Sequence, residues 1–185
     1  MYFVEFSLFL EEFRKKMTGE VLTAGIGSGT RDVLEICQEI ELSCAELYHY
    51  FAELFKNDRA TLLFWRKAAM EVENHAKRFA LIMKLRRQNI VQSIHLDAVE
   101  AEITQIYVKS FVDKLMQYPP SQEEAIVKAF KLETKLSFLH LENIVTFADP
   151  SFEKSLTAIA QSDRKYMKPL IEAYMKLKNS SSQGM

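Results

Sequence analysis

Cysteine is scarce in this chain, with 2 among 185 residues, and no pair has the Cys-x-x-Cys spacing. A metal site of the paired-cysteine kind is therefore excluded within the chain. Cys37 and Cys44 fall in a stretch that reads as helix, where two turns separate them by ~10 Å, too far for a disulfide. They read as packing residues of a reducing compartment. Glycine (5) and proline (4) are also sparse, and alternating β-branched runs are few, so the chain should be mostly helix. An excess of one charge is missing too. With 24 basic and 25 acidic residues, no nucleic-acid partner is indicated and no acidic tail is present. Charges interrupt every long apolar window, so no membrane span is expected. The opening MYFVEFSLFLEEF has no basic n-region and carries Glu5, which makes it a poor secretory leader; the expected location is cytoplasmic.

What the chain does have is apolar residues at helical spacing. At 48% hydrophobic content, it can fill one core and is expected to form a single domain at 31–178. The central stretch is RDVLEICQEIELSCAELYHYFAELFK, residues 31–56. Leu34, Cys37, Glu41, Cys44, Tyr48, Phe51 and Phe55 share one helical face. Packing that face buries Glu41 among apolar neighbours. A buried carboxylate is costly unless it is protonated, hydrogen-bonded or bound to a cation.

The remaining elements follow in order. Residues 1–30 read as an amphipathic segment (Phe3, Phe6, Phe9, Leu10, Phe13) and a Gly-rich loop. The segment should pack on the bundle or on a second subunit of a homodimer. GIGSG in the loop follows no strand and lacks a P-loop lysine, so it is no nucleotide loop. Thr30 is the predicted cap of the first helix. Asp58 caps a second helix over 59–87, whose inner face carries Trp65, Ala68, Val72, His75, Ala76 and Phe79. Residues 88–96 read as irregular, and a helix is predicted over 96–118, ended by Pro119-Pro120. Ser121 and Glu124 form a capping box for a helix over 122–147, with Ala129, Phe130, Glu133, Leu136, His140 and Ile144 inside. Asp149-Pro150 opens a last helix over 150–177, with Asp163 and Tyr166 on its apolar stripe. Residues 179–185 read as a disordered tail.

The two helix pairs repeat each other. Glu41 lies 34 residues before His75, and Glu133 lies 33 before Tyr166; Asp58 and Asp149 each lie 17 before those second members. Two antiparallel hairpins joined by a crossover helix make an all-α four-helix bundle with Glu41 and Glu133 meeting at its middle. Such a bundle can place a Glu from each of two helices beside a Glu-x-x-His from each of the others, which is a di-iron carboxylate plan.

Four segments carry a family resemblance: EIELSCAELYHYFAELF, FWRKAAMEVENHAKRF, EEAIVKAFKLETKLSFLH and DPSFEKSLTAIAQSDRKYMKPL. Through them the chain resembles the rubrerythrin branch of the ferritin-like family over residues 31–178. The resemblance implies a ferritin-like antiparallel bundle that binds iron or manganese and acts on peroxide or dioxygen with a separate electron donor. It places Glu41, His75, Glu133 and Asp163 as metal ligands and Glu71 as a fifth, because Val72 stands where the family has Glu. Tyr166 stands where the second His belongs, and Tyr48, His140 and Tyr166 support the ligands from behind. The incomplete set favours one ion over two. The alternative is a non-catalytic bundle with a metal-free polar core, in which Glu41 and Glu133 share a proton and the protein acts as a dimeric structural or partner-binding module.

Overall fold

The structure is a computed structural model that describes residues 31–155, 158 and 168–176. Helix dominates these residues, with a single two-stranded ribbon beside it. Helix α1 spans Val33–Leu54 and α2 spans Arg59–Arg87, close to the bounds that periodicity predicts. Asp58 caps α2, accepting from the Ala60 N–H at 3.0 Å. Asp32, rather than Thr30, caps α1, accepting from the Leu34 N–H at 3.0 Å. The Asp32 carboxylate also accepts from the Arg86 guanidinium at 3.0 and 3.1 Å. The start of α1 therefore meets the end of α2, and the two helices form an antiparallel pair.

The buried seam between them is aromatic. Tyr48, Phe51 and Trp65 are almost fully buried, with Trp65 5.6 Å from the Tyr48 ring and 4.8 Å from the Phe51 ring, edge-on to the latter. Helix α3, Ala98–Gln117, packs on α1. Gln105 donates to Glu39 at 2.6 Å and accepts from Arg31 at 3.3 Å. Helix α4, Gln122–Leu136, opens with the expected capping box of Ser121 and Glu124. Gln122 on α4 donates to Thr61 on α2 at 2.7 Å. The helical residues 168–176 reach α4 by stacking Tyr174 on Phe130 at 4.2 Å. With Tyr48, Phe64, Trp65 and Ala68, Pro169 and Leu170 also line a small apolar pocket.

The structure corrects two further sequence expectations. Residues 88–96 are not irregular: α2 ends in a Schellman turn in which Asn89 takes a positive φ of 60°. Ile90 N–H bonds Leu85 C=O at 3.1 Å and Asn89 N–H bonds Arg86 C=O at 3.0 Å. The chain then enters β1, Val91–Ile94. The predicted helix over 122–147 stops at Leu136, followed by a 3₁₀ turn Ser137–Leu139, a single turn α5 Leu141–Ile144, and β2 Val145–Phe147. Polar side chains bond the backbone at this break: Ser137 to the Thr134 carbonyl at 2.9 Å and Asn143 to the Ser137 carbonyl at 3.1 Å. The β-branched run Ile144-Val145-Thr146 then pairs antiparallel with β1, Ile94 opposite Val145 and Val91 opposite Phe147. The two halves of the chain are therefore not equivalent. The segment 1–13, the loop 17–30 and the tail 179–185 lie outside the described residues, as does the middle of the last predicted helix.

The aromatic seam sets a stability prediction. Phe51→Ala should cost about 3–5 kcal/mol in urea denaturation, whereas Leu42→Ala, on the solvent side of α1, should stay within about 0.5 kcal/mol. Equal losses from the two would mean that the stripe is wrongly placed.

Candidate metal centre

Helix α1 contributes Glu41, Cys44 and Tyr48 at four-residue-or-closer spacing, which places them one above another on the inner face. All three are buried. Helix α2 brings His75 from the facing side, its Nδ1 3.5 Å from Glu41 Oε2, an ion-pair distance with both side chains largely shielded. Helix α4 brings Glu133 on its last full turn, and the Tyr48 hydroxyl donates to Glu133 Oε1 at 2.6 Å in the core. Glu41, His75 and Glu133 thus come from three helices to one shielded place.

Electrostatics couple them. Burial raises the Glu133 pKa, the nearby Glu41 charge raises it further, and the Tyr48 hydrogen bond and His75 only partly offset this, leaving it at about 7. For His75, burial and Arg78 work against protonation, but the hydrogen-bonding contact and charge of Glu41, with the Glu133 charge behind it, win and raise the pKa. Near neutral pH the centre therefore holds protons that isolated groups would not.

The other expected residues divide. Glu71 is half-buried and makes no hydrogen bond or ion pair with this centre among the described residues, while Val72 beside it is fully buried. Glu73 faces outward and pairs with His49 at 2.8 Å. Asp163 and Tyr166 lie outside the described residues. Tyr48, read from the sequence as a supporting residue, donates its hydroxyl to Glu133. His140 comes closer than its predicted helix would allow: after the break at Leu136 its ring meets that of His75 at 6.3 Å and 68°. Cys44 is the neighbour that sequence reading left out. Burial and then the charges of Glu133 and Glu41 push its thiol well above the ordinary value, so it stays protonated and unreactive. Its place between Glu41 and Tyr48 on the stripe was the available signal.

In kind, two carboxylates and an imidazole suit iron or manganese. As they lie, no three His, Cys, Asp or Glu side chains among the described residues stand together at ligating distance. Val72 supplies an apolar wall where a paired-metal site needs a carboxylate.

With metal kept out by a chelator, the fold should lose stability as pH rises. The raised Glu133 pKa contributes stability fully present below the ordinary 4.5 and lost as pH rises through about 7. The raised His75 pKa acts in the same direction, its contribution present below 6.5 and lost above the raised value. The lowered carboxyls of Asp58, Glu124 and Asp149 titrate below this window. Urea denaturation at pH 8 should show roughly 2–3 kcal/mol less stability than at pH 5 from Glu133 alone. Glu133→Gln, which keeps an acceptor for Tyr48, should remove most of that slope; an unchanged slope would refute the assignment.

Compared with known proteins, the chain matches no family model, no curated protein and no solved structure, so its likeness to the rubrerythrin branch rests on the four segments alone.

Proposed function

We propose that this is a metal-handling helical protein, similar to the rubrerythrin branch of the ferritin-like family, whose buried carboxylate–imidazole centre takes one iron or manganese ion. The carrying observation is Glu133, a buried acid that faces a second acid and is pushed up to about 7. A divalent cation would relieve the repulsion between Glu41 and Glu133 and replace the proton that Glu133 now holds. Glu41, Glu133 and His75 would hold the ion, with Asp163 as the fourth ligand that the resemblance implies. The ion, when bound, supplies the redox chemistry with peroxide or dioxygen that the resemblance implies. The chain's own part is to exclude water from the centre and to orient the Glu133 carboxylate, which accepts a hydrogen bond from the Tyr48 hydroxyl. Buried Val72 favours a single ion over a pair.

A second reading has its own support. The 2.6 Å bond from Tyr48 satisfies Glu133 without metal, and the centre is then a proton-sharing core of a structural or partner-binding module. Anaerobic dialysis against iron(II) or manganese(II), read by elemental analysis, separates the two. Wild-type protein should retain about one ion per chain, Glu41→Ala and Glu133→Ala should retain none, and Glu73→Ala should match wild type. No uptake, together with a more stable Glu41→Gln/Glu133→Gln double variant, would decide for the metal-free core.

The homodimer expected from the apolar segment 1–13 belongs to the same proposal. Sedimentation of the full chain should give a dimer, and removal of residues 1–16 should shift it to monomer. A monomer in both cases would refute it.

A further inference from the structure

Helix α2 carries a second stripe, opposite the buried one of Trp65, Val72 and Phe79. Leu63, Met70 and Leu81 are 55%, 51% and 50% exposed, and helical periodicity puts them on one line along the outer face. Exposed Arg59, Arg66, Lys77 and Lys84 run along one side of that line, and exposed Lys67 along the other. Arg66 stands 3.6 Å from Glu53 of α1, and Lys77 donates to Asn74 at 3.3 Å. No acidic residue of α2 falls on this face. Glu71 and Glu73 lie about a quarter-turn to either side, both half-buried, and Glu73 is paired with His49. One exposed leucine needs no account. A line of three large apolar side chains flanked by cations is an amphipathic face of the kind that another element covers.

We propose that this face docks residues 1–13 of a second copy of the chain, exchanged reciprocally in a dimer. This rests on the dimer reading above and gives it a surface. Complementarity selects the occupant. MYFVEFSLFLEEF, which lies outside the described residues, has Phe3, Phe6, Phe9 and Phe13 at helical spacing and carries Glu5, Glu11 and Glu12 with no Lys or Arg. Its charge is opposite to that of the α2 face, and opposite potentials steer encounter and suppress wrong partners. As a helix the segment is ~20 Å long, against ~27 Å from Leu63 to Leu81. Four covered phenylalanines bury about 600–1,000 Å², and reciprocal exchange doubles this to roughly the size of a specific interface. Residues 14–30 span at most about 60 Å, enough to cross to a neighbour. In the single chain the face stays half exposed, so its cover comes from the second copy.

Sedimentation equilibrium of the full chain tests the docking, with circular dichroism confirming that each variant keeps its helix. Wild type should be a dimer whose dissociation constant rises at least about tenfold between low and high salt. Met70→Glu, and the pair Lys67→Glu/Lys77→Glu, should each weaken it at least about tenfold. Adding Glu5→Lys, Glu11→Lys and Glu12→Lys to the reversed pair should restore the dimer. Lys131→Glu, exposed on α4, should match wild type. If removing residues 1–16 dissociates the dimer but Met70→Glu and the reversed pair do not, the docking face falls and the dimer stands. If the reversed pair dissociates it and the charge swap does not restore it, the face has another occupant and the assignment falls. A wild-type monomer removes both readings. A monomer that pellets with phosphatidylserine vesicles would give the face to a lipid surface instead.

Discussion

The bond from Tyr48 to Glu133 is the contact on which the centre depends. It crosses from α1 to α4 through the core, and it decides the state of an acid that burial would otherwise make very costly. A neutral Glu133 accepts this hydrogen bond while Glu41 keeps its pairing with His75. If both acids were charged and unpaired, packing α4 against α1 would bring like charges into a medium that screens them poorly. The polar contacts therefore join the helices that the aromatic seam of Tyr48, Phe51 and Trp65 brings together.

Much of this was legible in the sequence, and the reasons differ by element. The α2 bounds at Arg59 and Arg87 emerge from local signals, an Asp cap and an unbroken 3.6-residue stripe. The capping box at Ser121 and Glu124 was readable for the same reason. The ribbon was not, because pairing Ile94 with Val145 depends on residues distant in the chain, and Ile144 keeps helical phase with Glu133 closely enough to extend the stripe. The run Ile144-Val145-Thr146 was the clue, but a short β-branched run fits either state. Glu41, His75 and Glu133 were found because a carboxylate or imidazole in an apolar stripe is conspicuous. Cys44 was passed over because a thiol there looks like packing; His140 was read as a supporting residue on a continuous helix, and its approach to His75 follows from a break that the pattern does not announce.

The apparent repeat of the sequence survives only in part. The Glu41 and Glu133 positions do converge on one centre, and both Asp58 and Asp149 accept from the backbone two residues ahead. Past those points the halves diverge. In the first half, Asp32 and Arg86 tie helix start to helix end. In the second, α4 is cut short and the ribbon takes over the connection. The divergence leaves His75 with a histidine neighbour from a turn.

The ribbon also orders events in time. Helices α1 and α2 meet across a tight turn, so their contacts close quickly. Ile94 and Val145 must find each other across about fifty residues of chain, which carries a larger entropic cost before any contact repays it. The α1–α2 pair, with Glu41 facing His75, is therefore the early partner in assembly, and the segment bearing His140 is the late one. An α1–α2 pair that forms first would present Glu41 and His75 to water until the helix bearing Glu133 docks against Tyr48.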